Sequence, residues 1–212
     1  MDEYNGQPVL PFACAEEFRT WLDANHETST GLWIKFAKRD SGIPSVYYAQ
    51  ALDVALCYGW IDGQARSLDD SHYLQRFTPR TSRSRWSKIN RTKVAALIEA
   101  GRMTPAGQQA IDAAKADGRW DAAYDSPRTA TVPADLRAAL DANPEAAAFF
   151  ETLSSQNRFA ILHRTTEAKR AETRAKRIAT FVEMLARHET VHPQRSPRAQ
   201  KSPRAQSSSP PR

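Results

Sequence analysis

Only two cysteines, Cys14 and Cys57, occur in the 212 residues, and they show no metal-ligand spacing. Cys57 lies inside the apolar run "ALDVALCYGW", where a buried, reduced thiol is expected. No apolar run approaches the about 18 residues of a membrane span, and no basic-then-apolar leader follows Met1. The expected compartment is therefore the cytoplasm. Phosphate-binding G-x-x-x-x-G-K-[ST], dinucleotide-binding G-x-G-x-x-G and the G-x-S-x-G nucleophile elbow are all missing. The five histidines stand apart from one another and read as surface or packing residues. Neither a cofactor nor a metal is expected.

Acid is also missing locally. No Asp or Glu occurs from Ser71 to Ile98, yet that span holds "RFTPRTSRSRWSKIN". Arg76, Arg80, Arg83, Arg85 and Lys88 interleave there with Phe77 and Trp86, a pattern that suits nucleic acid, a small anion or a structural frame. The formal net charge of +6 first favours nucleic acid. However, Arg195, Arg198, Lys201, Arg204 and Arg212 supply five of those six charges, in an ending that contains no acid and repeats "SPRAQ". That ending has no large apolar residue, so residues 191–212 are expected to form a disordered basic tail. The rest is close to neutral, and its arginines are a local concentration.

The periodicities predict an irregular lead over 1–13, a helix over 14–26 and a strand over 31–39. Leu32, Ile34 and Phe36 share one face of that strand. A buried helix follows over 46–60, then two strands around "LDDS" within 60–80, the second presenting Tyr73, Gln75 and Phe77 on one face. Helices are expected at 84–101, capped by Ser82 or Ser84, and at 104–118, opened by Thr104 and Pro105. Three more are expected at 132–143, 143–166 and 166–188. The class is α+β: a small antiparallel sheet with helices over 12–128, an all-helical region over 129–190, and the tail.

Two stretches carry the candidate chemistry. In "CYGWIDGQ" (57–64), Trp60 offers a flat apolar wall, and Asp62, if buried, needs Arg76 or Arg80 as partner. In "TPRTSRSRWSKIN" (78–90), a helix N-terminus with Arg80 and Arg83 would hold an anion. Ser84 would donate and Trp86 would add a second wall.

These stretches, with "GRMTPAGQQAI", "AKADGRWDAAY" and "EAKRAETRAKRI", occur in an order that resembles the motif series of the YdeI/OmpD-associated, or bacteriocin-protection, family over about residues 12–188. The resemblance implies a cytoplasmic bacterial α+β protein and marks Asn90, Thr173 and Arg174 as further motif positions. It implies no catalytic residue set. Three readings stay open. The first is a non-enzymatic protein binding a small anionic ligand or acidic protein segment through Trp60, Asp62, Arg76, Arg80, Arg83, Ser84, Trp86 and Asn90. The second is an enzyme with Asp62 as general base. The third is weak nucleic-acid binding through the tail and the last helix.

Overall fold

The computed structural model describes residues 2–126 and 129–194, so the tail from 195 onward lies outside the described residues. The protein is α+β, and its contacts divide it into two units, Met1–Asp125 and Ser126–Arg212.

The first unit is built on a sheet of β1 (Asp2–Tyr4), β2 (Gln7–Leu10), β3 (Leu32–Ala37), β4 (Trp60–Ser67) and β5 (His72–Pro79), in the order β1-β2-β3-β5-β4. Two expectations are corrected here. The lead is not irregular: Asn5 and Gly6, both at positive φ, close a two-residue hairpin that pairs Tyr4 with Gln7. Nor is the sheet wholly antiparallel, because β2 runs parallel to β3 across the helix α1 (Ala15–Asn25).

The expected strand faces hold. Leu32, Ile34 and Phe36 pair with Phe77, Gln75 and Tyr73, and their common face meets α1 and α2 (Tyr48–Cys57). The α3 (Lys88–Glu99) and α4 (Pro105–Ala116) helices add Val94, Leu97, Ile111 and Ala114 to the same core. Each large side chain buried there contributes about 1.5–3 kcal/mol. On the opposite face Trp33 is also buried, covered edge-on by Tyr4 at 5.0 Å. The β4–β5 hairpin needs no Asn-Gly turn, because Asp69 Oδ1 accepts the amides of Ser71 and His72, each at 2.7 Å.

Helix α3 starts later than expected. Its cap is Ser87, whose hydroxyl accepts the Asn90 amide at 3.1 Å, so neither Ser82 nor Ser84 caps it. Ser87→Ala should cost about 1 kcal/mol, readable as a lower urea midpoint.

The second unit comprises α5 (Ala134–Asp141), α6 (Pro144–Glu151), α7 (Ser155–Glu167) and α8 (Ala171–Ala186) around Leu136, Leu140, Phe150, Ile161, Phe181 and Leu185. The single helix expected over 143–166 is two. Ser154 adopts an extended ψ and accepts the Asn157 amide at 3.3 Å, which ends one helix and caps the next. Residues 191–194, assigned to the tail from sequence, are held instead: buried Asn157 accepts the His192 amide at 2.8 Å and donates to its carbonyl at 3.1 Å.

Candidate functional site

The site begins where β5 stops. Pro79 has no amide proton and pairs with Trp60 at the end of the β4–β5 ladder. The Arg80 amide then donates to Gly59 O at 2.9 Å, where Gly59 sits at φ +71 against Ala106 of α4. A tight turn follows. The Ser84 amide donates to Thr81 O at 3.0 Å, and the Thr81 amide donates to Ser84 Oγ at 2.9 Å. Arg119 secures this turn from outside, donating through Nη1 to the carbonyls of Thr81 and Ser84, both at 3.1 Å. Its Nε is paired with Asp117 at 2.7 Å. The chain next buries Trp86 edge-on against Trp120, with 4.9 Å between ring centroids, and enters α3.

Arg80 lies inside this frame. Its guanidinium covers the Trp86 ring at 3.6 Å, and Nη1 donates to Arg85 O at 3.0 Å. Nε and Nη2 are buried and have no acceptor, and Trp86 Nε1 is in the same condition. Burial pushes the Arg80 guanidinium down to about 10, opposed by Tyr124 and the Asp62 carboxylate and reinforced by Arg119. The group is still a cation at neutral pH, so the structure holds a desolvated charge with two idle donors.

The other candidate residues are placed as follows. Asp62 pairs across the ladder with Phe77 and shares the helix-covered face, but its Oδ2 accepts the Tyr48 hydroxyl at 2.8 Å and neither arginine bonds to it. Burial, then the Asp62 charge, holds the Tyr48 hydroxyl well above the usual phenol range. Arg76 is on the opposite face of the sheet, with Nε on Gln7 Oε1 at 2.8 Å, so it does not join the group. Trp60 is a core residue, edge-on to Trp21 at 5.8 Å. Arg83 is exposed, Ser84 maintains the turn, and Asn90 is buried in the first turn of α3. The amides at that helix start are taken by protein groups: Lys88 N donates to Tyr124 O at 2.9 Å and Asn90 N to Ser87. Two of the amides expected to face an anion are therefore already used within the protein.

The structure thus brings together Arg80 and Trp86, with the Asp62 carboxylate acting electrostatically on Arg80. The sequence reading missed Tyr48, Arg119 and Tyr124. Arg119 and Tyr124 fall in "AKADGRWDAAY", a motif that was visible but had no charge pattern to mark it. Arg80 also lines a cleft of about 470 Å³ with Gly59, Pro79, Ala106, Ala110 and Ala113.

In the second unit, the motif arginine Arg174 grips Asp135 side-on, through Nε at 2.5 Å and Nη2 at 2.9 Å, and donates Nη1 to Thr165 O at 2.9 Å. The Arg174 hydrogen bond holds the Asp135 carboxyl below the ordinary aspartate value of 3.8. A depressed carboxyl stabilises the fold above its unfolded value, and that contribution disappears as pH falls through the folded one. Asp135→Asn should therefore narrow the difference in urea midpoint between about pH 5 and about pH 2. An unchanged difference would show that the pair does not contribute. Because the pair is half-exposed, the effect should be small.

Comparison with known proteins assigns the two units differently. Residues 129–188 match the family described as "Bacteriocin-protection, YdeI or OmpD-Associated". Residues 10–110 match a domain of unknown function (DUF8412), so the family match itself begins at 129 and not near 12. No curated protein and no solved structure matches the chain. Among the described residues, no helix is long and apolar enough to cross a membrane, and no cluster of His, Cys, Asp and Glu could hold a metal ion.

Proposed function

We propose that this protein, whose residues 129–188 match the bacteriocin-protection, YdeI or OmpD-associated family, is a binding protein whose first unit takes a small anion at Arg80. One observation carries the reading: Nε and Nη2 of Arg80 are buried without an acceptor. A buried, uncompensated cation destabilises a fold, and a neighbouring acceptor removes that penalty. Within the protein the carboxylate that acts on this guanidinium, Asp62, bonds to Tyr48 instead. An anion from solution would complete the arginine with charge-assisted hydrogen bonds. Asp62 and Tyr48 would then border the ligand.

The reading is tested on the full chain by NMR, following the indole Nε1–H of Trp86, which is stacked on the guanidinium at 3.6 Å. Sodium acetate, benzoate or inorganic phosphate at millimolar concentration should shift that resonance saturably. Arg80→Met should abolish the shift while leaving the remaining spectrum folded. If none of the three anions moves the resonance in the wild-type protein, Arg80 is only a structural residue.

A further inference from the structure

We infer that the anion held by Arg80 is a monocarboxylate with an apolar body, bound side-on to the Nε/Nη2 edge of the guanidinium. This inference rests on the anion-site reading above and specifies its ligand. The protein itself provides the template. In Arg174, Nη1 donates to a backbone carbonyl, and the Nε/Nη2 edge takes the two oxygens of the Asp135 carboxylate. In Arg80, Nη1 likewise donates to a backbone carbonyl, that of Arg85, and the equivalent edge has no acceptor. The two free donors are adjacent and coplanar, a fork that fits a planar carboxylate with one oxygen per nitrogen.

Two further observations favour a carboxylate over phosphate. Trp86 occupies one face of the guanidinium, so the acceptor must lie in the plane of the fork; a tetrahedral phosphate would push its other oxygens towards the ring. The Asp62 carboxylate acts on the same guanidinium, and it repels a dianion more strongly than a monoanion. The cleft that Arg80 lines offers an apolar stretch for the ligand's body along Pro79, Gly59 and the α4 alanines Ala106, Ala110 and Ala113, while Glu27, Asp117 and Arg119 also line it. The fork is sealed in this conformation, under the turn that Arg119 ties down. Binding therefore requires the fork, buried in this structure, to open to solvent.

The test is a comparison of three probes on the full chain, by the Trp86 indole resonance and the Arg80 Nε–H resonance together. Benzoate should bind roughly tenfold more tightly than acetate, because its ring buries apolar surface. Phosphate should bind roughly tenfold more weakly than acetate, because of its added charge. Arg80→Lys, which keeps the charge but loses the fork, should fail to restore benzoate binding. Phosphate binding with no response to either carboxylate would overturn this inference and leave the anion site standing. Equal affinities for acetate and benzoate would overturn the apolar body. No response to any probe would remove the anion site itself.

Discussion

Gly107→Ala should destabilise the first unit by about 3 kcal/mol, the upper end of the cost of overpacking a core. In an ordinary helix interior the same substitution is worth up to about 1 kcal/mol of added stability, so here its sign should reverse. Gly107 lies one turn into α4, where the helix crosses the end of α2. A methyl group there would strike the Cys57 carbonyl and the Met103 sulfur. The sulfur is at the end of a flexible side chain and can yield. The carbonyl cannot, because it accepts the Thr104 hydroxyl at 2.6 Å and the Thr104 amide at 3.2 Å. Those bonds lock the start of α4 to the end of α2, next to Gly59, whose carbonyl receives the Arg80 amide. The substitution should therefore also weaken binding at Arg80. Urea denaturation followed by tryptophan fluorescence gives the first quantity, and a stability equal to or above wild type would contradict the packing described.

Arg80→Met should produce the opposite combination: complete loss of anion binding with no loss of stability. Methionine keeps an unbranched stem against Trp86 and removes a charge whose Nε and Nη2 have no acceptor. An unsatisfied buried polar group costs about 1–3 kcal/mol. Set against that are the bond to Arg85 O and the stacking on Trp86, worth about 1 kcal/mol each. The expected outcome is a midpoint at or slightly above wild type. Arg80→Ala is different, since it leaves a void beside a buried tryptophan and should unfold earlier. If Arg80→Met instead unfolds the unit, the guanidinium belongs to the frame and its free edge carries no function.

The sequence showed the alternation of Leu32, Ile34 and Phe36, and of Tyr73, Gln75 and Phe77, because successive side chains of a strand point to opposite faces and these residues share the helix-covered one, although Trp33 and Leu74 are buried on the other. The Asn5-Gly6 hairpin was equally visible in its residues. Its strands of three and four residues, one containing Pro8, gave no periodicity to support it. The parallel pairing of β2 with β3 is a tertiary choice that no local pattern records. The break at Ser154 was concealed by helix-forming residues on both sides, and only the capping hydroxyl reveals it.

At the site, Arg80 and Trp86 stood out because a cation and an aromatic residue recur in a stretch without acid. Strand alternation could have excluded Arg76, since it alternates with Gln75 and Phe77 and must face the other way. The free edge of Arg80 was not legible at all. It depends on which carbonyl meets Nη1 and on Asp62 turning to Tyr48, and both are set by the folded loop.

The most direct test of the central claim is a high-resolution crystal structure of the full chain grown with benzoate. The account predicts both carboxylate oxygens within hydrogen-bond reach of Arg80 Nε and Nη2, with the guanidinium still stacked on Trp86. A protein carbonyl or carboxylate already occupying both nitrogens, with benzoate absent, would contradict it.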